Sequence, residues 1–366
     1  MNFLHNPFRG VGLKPQDEMA RGEVSTDPSG PEALLRRCPE MTAPTPLRDW
    51  PNLARAMNVK TLTLKDESQR MGLGSFKALG AAYVIAREAA LRTDTPDVAA
   101  SPADMKNALR GTVYVCASAG NHGLSMAAGA RIFGAVAVVY LSQAIPEAFA
   151  NRLRRLDAKV VRAGEDYEAS MAAAAAAARD NGWILLSDSS WPSYTDLPAR
   201  VMEGYLIMGV EVVNTLETPP SHIFLQAGVG GMAAAMAAFF RKRWGDSPTI
   251  VVVEPQSAAA LFDSIRAGKP VRSDGPASIM GRLDCKEPSH LALAELARTA
   301  DYFLTITDEE SNVTVELLQQ YGIETTPSGG AGVSALHHAG SHRSELGLSG
   351  QSRVLSFITE GPEEIS

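Results

Sequence analysis

Short apolar runs alternate with amphipathic stretches along most of this chain. Runs that are uniformly apolar or β-branched predict strands, which we place at residues 61–65, 112–116, 135–141, 159–162, 183–186, 222–226 and 249–253. Stretches with apolar residues at helical spacing predict helices, which we place at residues 51–57, 76–92, 123–133, 148–156, 166–180, 231–244 and 257–267. The first fifty residues, rich in proline and polar side chains, predict an arm or loops, and residues 93–108 predict a surface insertion.

This order of elements predicts an α/β fold. Short apolar strands between amphipathic helices are typical of parallel sheets that are covered on both faces. At about 150 residues per domain, a chain of 366 residues suffices for two domains. We therefore expect two domains, each with a mainly parallel twisted sheet flanked by helices.

Composition and charge narrow the class of protein. Hydrophobic residues make up 45% of the chain and charged residues 20%, which is typical of a folded globular protein. The 34 Lys and Arg against 41 Asp and Glu give a net charge of −7, whereas a nucleic-acid binder needs a basic field. No apolar stretch approaches the roughly 20 residues that cross a membrane, and the N-terminus lacks the apolar core of a secretory signal. We expect a cytoplasmic enzyme that binds neither nucleic acid nor membrane.

The cysteines and histidines predict neither a disulfide framework nor a metal site. Cys38, Cys116 and Cys285 are odd in number and widely separated, as in proteins of a reducing compartment. His337 and His338 are adjacent, and adjacent residues of a helix face different ways, so we read both as surface residues.

A glycine-rich turn at residues 226–232 (QAGVGGM) follows a predicted strand and opens a predicted helix. Backbone N–H groups in such a turn approach an anion closely, and a helix N-terminus favours negative charge. The spacing Gly228-x-Gly230-x-x-Ala233, with Glu254 at the end of the next strand, also matches a dinucleotide fingerprint. The turn by itself predicts binding of a phosphate group, from a dinucleotide or from pyridoxal phosphate, with a plain packing turn as the alternative.

Two further segments carry candidate chemistry. The turn at residues 117–123 (ASAGNHG) follows a strand, and its N–H groups and Asn121 suit a carboxylate or a cofactor oxygen, with a plain helix-starting turn as the alternative. Lys77, at the start of a helix and beside Phe76 and Leu79, is a candidate for a desolvated amine that forms a Schiff base. A solvated surface lysine is the alternative there, and the GxxxxGK[ST] spacing of a P-loop is absent from the sequence around it.

Three motifs in this order, GSFKALGA, SAGNHG and GVGG, resemble the fold-type II pyridoxal-phosphate enzymes, the family of threonine dehydratase and cysteine synthase. The segments KDESQRMGLGSFKALGAAY, DSSWPSYTDLPARVMEGY and SIMGRLDCKEPS, with TEG at 359–361, are similar to the diaminopropionate ammonia-lyases of that family. The resemblance runs from about residue 45 to the C-terminus and implies pyridoxal phosphate as cofactor and commonly a homodimer. We expect residues 1–90 with 205–366 to form the larger, cofactor-binding domain, and residues 91–204 to form a smaller inserted α/β domain.

The resemblance also implies roles by position. Lys77 would hold the cofactor as a Schiff base and remove the α-proton of the substrate. Asp188 would be the acid at the leaving group, with a turn residue at a strand end that caps the following segment as the alternative. Asn121 would bind the ring hydroxyl, and Thr359 would face the pyridine nitrogen as a neutral partner. The remaining implied contacts are Phe76, Gly228, Val229, Gly230, Gly231 and Met232 to the cofactor, and Ser118, Ala119, Gly120, His122 and Tyr194 to the substrate.

Departures from the ammonia-lyase pattern bear on the substrate. Ala119 stands where those enzymes carry a second aspartate, and Gly74-Ser75 stands where they usually have Asn-Ala. Both are closer to the dehydratases, as is TTPSGGAG at residues 325–332. If the missing aspartate removes the α-proton of one enantiomer, this chain should accept only one, the L form by way of Lys77.

Near the C-terminus, the resemblance leaves more than one position open for the residue that faces the pyridine nitrogen. Ser356 and Ile358 compete with Thr359 for the place at the ring nitrogen, and the acidic residues among 360–364 predict a solvated tail.

The predicted reaction is α,β-elimination from a small amino acid, most specifically L-2,3-diaminopropionate, which gives pyruvate and ammonia. The runner-up is a dehydratase of serine, threonine or hydroxyaspartate. Two hypotheses from other functional classes stay open. One is an NAD(P)-dependent oxidoreductase that uses the 226–232 turn and Glu254 and leaves Lys77 and Asn121 without a role. The other is a non-catalytic relative that has lost activity.

Overall fold

Strands and helices alternate along the part of the chain that the computed structural model describes, which comprises residues 1–14, 22–35, 43–93, 102–118 and 120–362. The strands are β1 (Asn2–His5), β2 (Leu47–Asp49), β3 (Thr61–Asp66), β4 (Val113–Ala117), β5 (Val136–Leu141), β6 (Lys159–Arg162), β7 (Ile184–Leu185), β8 (His222–Gln226), β9 (Thr249–Pro255), β10 (Tyr302–Ile306) and β11 (Arg353–Ile358). The helices are α1 (Ser29–Leu35), α2 (Pro51–Ala56), α3 (Ala78–Leu91), α4 (Pro102–Met105), α5 (Asn121–Phe133), α6 (Glu147–Arg155), α7 (Tyr167–Asn181), α8 (Asp196–Thr215), α9 (Gly231–Trp244), α10 (Ala260–Ala267), α11 (His290–Thr299), α12 (Asp308–Gln320), α13 (Ala331–His337) and α14 (Arg343–Leu346). Cys38 and Ala119 lie outside the described residues, as do residues 94–101 of the predicted insertion.

The chain divides into two compact units. Unit 1 comprises Met1–Asp27, Pro44–Gln69 and Ser189–Glu364, and unit 2 consists mainly of Pro28–Ala43 and Arg70–Asp188. The predicted domain division, with residues 91–204 inserted between 1–90 and 205–366, stays a prediction; these units have other bounds.

Unit 1 is built on a seven-stranded sheet with the order β1-β10-β9-β8-β11-β3-β2. The five central strands run parallel, and the edge strands β1 and β2 are antiparallel to their neighbours. The central strands carry apolar side chains that are fully or almost fully buried, among them Leu62, Phe224, Val251, Leu304 and Val354. Because parallel neighbours end at the same edge, the turns after β8 and β9 and the residues after β11 share one edge of this sheet.

Unit 2 is built on a four-stranded, fully parallel sheet with the order β6-β5-β4-β7. Helix α7 packs on β4 and β5, where Ala174 joins Val115 and Val138 in a small core. Helices α3 and α5 pack closely, since a Cβ at Gly129 would lie 3.0 Å from the Cα of Ala82. These mainly parallel sheets flanked by helices confirm the predicted α/β fold class.

Most predicted elements are present with ends moved by a few residues, and β6, β8 and α9 have the predicted bounds. Helix α8 was missed because residues 201–210 are all buried, so its sequence shows no polar face.

One prediction about the N-terminal half was wrong. The expected arm or loops contain helix α1 and the strands β1 and β2. These strands are too short to show periodicity and exist through pairing of Phe3 with Leu304 and of Arg48 with Leu64. In the predicted surface insertion, Ala103, Asp104, Lys106 and Asn107 are exposed, and Met105 of α4 is buried. Among the described helices, none combines the length and apolar character that a membrane span requires.

Candidate active site

The glycine turn after β8 leads directly into α9 in unit 1. Gly230 has a φ of 99° in the left-handed region, where glycine is favoured, and α9 begins at the next residue. The first hydrogen bond of the helix runs from the Ala234 N–H to the Gly230 carbonyl. Gly230 occupies the N-cap position and has no side chain that could cap the helix. The preceding N–H groups therefore point out of a helix end that carries partial positive charge, which is a binding site for an anion.

Gly228 of the same turn lies against a loop that follows α10. A Cβ at this position would lie 2.9 Å from Cys285 Sγ and 3.1 Å from the Arg282 carbonyl oxygen. The same loop is tied to the turn by the Ser289 N–H, which donates to the Val229 carbonyl at 2.9 Å. A side chain at residue 228 would therefore displace either the turn or the loop.

Thr359 follows β11, beside the end of β8 in the sheet. Its N–H donates to the Gly329 carbonyl at 3.2 Å, and its hydroxyl oxygen accepts a hydrogen bond from Gln226 Nε2 at 3.3 Å. Ser356, one of the competing positions, lies inside the strand and donates its hydroxyl to the Phe224 carbonyl at 3.2 Å. The hydroxyl of Thr359, rather than that of Ser356, thus lies at the edge of the sheet that carries the glycine turn.

In unit 2 the structure brings together two residues that were predicted to perform the chemistry. Lys77, directly before α3, donates from Nζ to Oδ2 of Asp188, which follows β7, at 2.5 Å. Burial raises the pKa of Asp188, but the charges of Lys77 and His122 and the hydrogen bond from Lys77 lower it more, so that this pKa lies well below its usual range. Burial, and then the Asp188 charge, raise the pKa of the Cys116 thiol, so this cysteine is a neutral core residue.

The turn after β4, also in unit 2, is held together by its own serine. The Ser118 hydroxyl accepts hydrogen bonds from the N–H groups of Gly120 at 3.3 Å and Gly123 at 3.1 Å. His122 is buried, and its Nε2 donates to the Leu186 carbonyl at 2.8 Å, because a carbonyl only accepts. The other ring nitrogen, Nδ1, is buried and has no hydrogen-bond partner among the described residues. Asn121 is the first residue of α5 and is half-buried.

The other predicted contacts are distributed over both units. Phe76 precedes Lys77 in unit 2 and is half-buried. Tyr194 belongs to unit 1, where its ring stacks on Trp191 with centroids 4.4 Å apart and each residue donates its N–H to the other's carbonyl. Met232 is buried in the first turn of α9. Ala119 lies outside the described residues.

Glu254, the ribose ligand of the dinucleotide alternative, has a different task. It is fully buried, and its two carboxyl oxygens accept the N–H groups of Leu261 at 2.8 Å and Phe262 at 2.7 Å at the start of α10. Burial raises the pKa of Glu254 to about 8. Because both oxygens are bound within the protein, this residue offers nothing to a ribose.

One prediction of surface position was wrong. Glu360, expected in a solvated tail, is buried, and its carboxylate accepts the Thr326 hydroxyl at 2.5 Å. His337 and His338 are half-buried, and His337 Nδ1 lies 3.2 Å from the Thr314 hydroxyl. Across the described residues, no group of three His, Cys, Asp or Glu side chains is placed to hold a metal ion.

Comparison with known proteins adds a family and several relatives. The model of a family described as pyridoxal-phosphate dependent enzymes matches residues 40–360. A diaminopropionate ammonia-lyase of Salmonella typhimurium is 30% identical over 344 residues, which cover 87% of this chain and 85% of that protein. A biosynthetic L-threonine dehydratase of Mycobacterium bovis is 27% identical over 341 residues, which cover 92% of this chain and 72% of that protein. The crystal structure of the Escherichia coli diaminopropionate ammonia lyase in complex with D-serine matches 98% of this chain and 93% of its own, with a TM-score of 0.86 and 27% identity.

Proposed function

This chain belongs to the pyridoxal-phosphate dependent enzymes, and from that premise we propose that it eliminates ammonia from a small 2,3-diamino acid. The proposed substrate is L-2,3-diaminopropionate, and the proposed products are pyruvate and ammonia. Membership of the family confirms the predicted cofactor, pyridoxal phosphate, and the prediction that the chain is an enzyme. The NAD(P)-dependent alternative loses its basis, because Glu254 is bound within unit 1.

The observation that carries the proposal is the contact between Lys77 and Asp188. An amine and a carboxylate within 2.5 Å of each other, both mostly buried, supply a nucleophile and a proton-transfer group in one place. The two are 111 residues apart in sequence, so this juxtaposition is a property of the fold.

The residues of this chain also fit the cofactor. The uncapped start of α9 and the left-handed Gly230 supply backbone N–H groups for a phosphate, and the close packing at Gly228 keeps that turn in place. Lys77 supplies the amine for the aldehyde, and Thr359 supplies a neutral hydroxyl for the ring nitrogen. When bound, pyridoxal phosphate provides the electron sink for the negative charge that proton removal leaves on the substrate.

We assign the proton transfers to the same pair of side chains. Lys77 Nζ, once neutral, takes the α-proton of the substrate. Burial raises the pKa of Asp188, and the charge of Lys77 is the main influence that lowers it. We propose that Oδ2 of Asp188 carries a proton while that lysine is neutral and donates it to the departing amine, a poor leaving group unless protonated.

The substrate's carboxylate and its stereochemistry are assigned to the turn after β4. We propose that Gly120 and His122 with Ser118 form the carboxylate site and that Asn121 binds the ring hydroxyl. Because Ala119 carries no acid–base group, Lys77 is the base of this proposal, which restricts the enzyme to the L form.

The proposal is tested by measuring pyruvate and ammonia from L- and D-2,3-diaminopropionate, L-serine, L-threonine and β-hydroxyaspartate. We expect the highest kcat/KM with L-2,3-diaminopropionate and no turnover of its D enantiomer. A visible absorbance band that borohydride abolishes, and that Lys77→Ala lacks, is expected of the Schiff base. An intact band in that variant would show that another residue holds the cofactor.

Asp188→Asn tests the proton donor separately. We expect kcat to fall by about 100-fold with L-2,3-diaminopropionate, which is typical of a lost general acid. With β-chloro-L-alanine, whose leaving group needs no proton, the loss should be under about tenfold. Equal losses for the two substrates would show that Asp188 serves only to position Lys77.

A dehydratase of β-hydroxy amino acids is the second candidate. It is favoured by the dehydratase-like residues Gly74-Ser75 and by the 27% identity to an L-threonine dehydratase over 92% of this chain. A kcat/KM for L-serine or L-threonine above that for L-2,3-diaminopropionate would establish it.

We further propose that the protein is a cytoplasmic homodimer. The scattered cysteines support a reducing compartment, since neither of the two described cysteines, Cys116 and Cys285, is in a disulfide. Light scattering coupled to gel filtration should give twice the mass of the 38.9 kDa chain, and a single-chain mass would contradict the dimer.

A further inference from the structure

Gln226, the last residue of β8, is a buried polar residue that the proposed chemistry does not yet use. Its side chain is buried at the edge of the unit 1 sheet that carries the glycine turn. Its Nε2 lies 2.7 Å from the Gly329 carbonyl, 3.1 Å from the Phe357 carbonyl and 3.3 Å from the Thr359 hydroxyl.

The orientation of this amide follows from its neighbours. Carbonyl oxygens only accept hydrogen bonds, so the amide atom that faces Gly329 and Phe357 is the nitrogen, a donor. The opposite atom, Oε1, is buried and has no hydrogen-bond partner among the described residues. Leaving a buried acceptor unpaired costs about 1–3 kcal/mol. The Gly329 and Phe357 carbonyls therefore fix the direction of the amide nitrogen, although the amide oxygen has no hydrogen-bond partner among the described residues.

The space around the amide is also specific. A Cβ at Gly332 would lie 2.9 Å from Gln226 Oε1 and 2.5 Å from Ser356 Oγ. Only glycine at this position lets the segment TTPSGGAG approach the amide so closely. This close approach explains why the segment carries glycine at residue 332.

The donor amide decides what the Thr359 hydroxyl can do. The two amide protons are shared among three acceptors, of which the Thr359 hydroxyl is the most distant at 3.3 Å. Because an amide nitrogen cannot accept, the hydroxyl oxygen is the acceptor of that bond, and the hydroxyl proton is directed to a different acceptor. The Thr359 N–H is already bound to the Gly329 carbonyl, which fixes the backbone of the same residue. Thr359 is therefore presented as a hydrogen-bond donor to whatever faces its side chain.

We propose that Gln226 is a positioning residue that turns the Thr359 hydroxyl into a donor toward the pyridine nitrogen of the cofactor, which keeps that nitrogen unprotonated. This inference rests on the proposed function, in which Thr359 is the partner of the ring nitrogen. A neutral ring nitrogen limits the charge that accumulates in the ring and favours departure of the β-substituent. Gln226 thus helps to select elimination without touching the substrate.

The test uses holoenzyme reconstituted with pyridoxal phosphate labelled with ¹⁵N in the ring, and reads the ¹⁵N chemical shift by solid-state NMR. In Gln226→Met, which keeps the volume and removes the amide, we expect the shift to move toward that of a protonated ring. Thr359→Val should move it in the same direction. Ser356→Ala is the matched control, since it also removes a buried polar partner in this sheet, and it should leave the shift unchanged.

Activity and stability are measured in the same variants. We expect kcat of Gln226→Met to fall about tenfold, as for the loss of one hydrogen bond of about 1.4 kcal/mol, with KM within twofold. A structural role alone would lower the melting temperature of Gln226→Met and Ser356→Ala alike and leave the ¹⁵N shift in place.

Gln226→Glu keeps the test valid if the methionine variant does not fold. A protonated glutamate donates as the amide does, and a carboxylate only accepts, so the ¹⁵N shift should become dependent on pH in this variant. A shift that stays at the wild-type value in both Gln226 variants while Thr359→Val moves it overturns the role of Gln226 alone. If Thr359→Val also leaves it unchanged, both the role of Gln226 and the assignment of Thr359 are wrong, whereas the lyase proposal is decided by the substrate measurements.

Discussion

Helices α9 and α10 begin just after neighbouring parallel strands of unit 1, and their N-terminal amide groups are used in different ways. The start of α9 has a left-handed glycine and no side-chain cap from its N-cap position. The start of α10 has two N–H groups that donate to the buried carboxyl group of Glu254. One helix end is therefore available to an external anion, and the other is occupied by the protein itself.

One helix start at this edge of the sheet is thus open to a ligand, and the other stabilises the protein itself. Both segments run from a buried strand through a turn into a helix, and the dinucleotide fingerprint drew its glycines from one and its acid from the other. In the structure the acid has become a cap of its own helix, so only the glycine turn is left for a ligand. Two predictions test this comparison and a third extends it to the start of α5, from the largest expected effect to the smallest.

The first prediction concerns the pH dependence of stability that Glu254 produces. Burial raises its folded-state pKa from 4.5 to about 8, so between these values the folded protein holds a proton that the unfolded chain has lost. The contribution is fully present below pH 4.5 and is lost as the pH rises to about 8, at up to about 1.4 kcal/mol per pH unit. Glu254→Gln removes this titration. Chemical denaturation of the apo-protein at pH 5 and 8 should give a steeper decline for the wild type, and parallel declines would contradict a raised pKa.

The second prediction concerns the turn before α9. Gly228→Ala places a Cβ 2.9 Å from Cys285 Sγ and 3.1 Å from the Arg282 carbonyl, which forces the turn or the loop to move. Overpacking of this kind costs about 1–3 kcal/mol, so we expect roughly tenfold weaker binding of pyridoxal phosphate or more. Titration of the apo-enzyme measures the dissociation constant.

Gly281→Ala is the matched control for the same loop. A Cβ at Gly281 has nothing within 4 Å, so the affinity for the cofactor should stay within about twofold of the wild type. Equal losses for the two glycines would mean that the contact at Gly228 does not shape the phosphate site.

The third prediction concerns the start of α5 in unit 2, where Ser118 accepts two turn N–H groups. Ser118→Ala should lower the free energy of unfolding by about 1 kcal/mol, as for the loss of a helix cap, and Ser118→Thr should restore part of it. Because Ser118 also belongs to the proposed carboxylate site, Ser118→Ala should raise KM for the amino acid as well, whereas cofactor affinity should not change in either variant. Unchanged stability of Ser118→Ala would show that these two hydrogen bonds do not stabilise the turn.

Much of the candidate site was predictable because it is local. Lys77 at a helix start, and the glycines at 228–231 between a strand and a helix, are recognised within a few residues of sequence. Strands β8 and β9 were predicted from uniform apolar runs that parallel sheets bury on both faces. Helix α8 was not predictable in this way, because a helix that is buried all round has lost the polar face on which its pattern depends.

The sequence by itself predicted the fold class and the cofactor, and it singled out Lys77 as the amine proposed to hold that cofactor, since motifs in a fixed order carry that information. Only the tertiary structure decided that Asp188 contacts Lys77, that Glu254 caps α10, that Glu360 is buried and that the Gln226 amide donates to the Thr359 hydroxyl. The physical reason is the range of the interactions. Strands and turns follow from neighbours along the chain, whereas hydrogen bonds between residues 111 or 133 positions apart exist only once the sheets have packed.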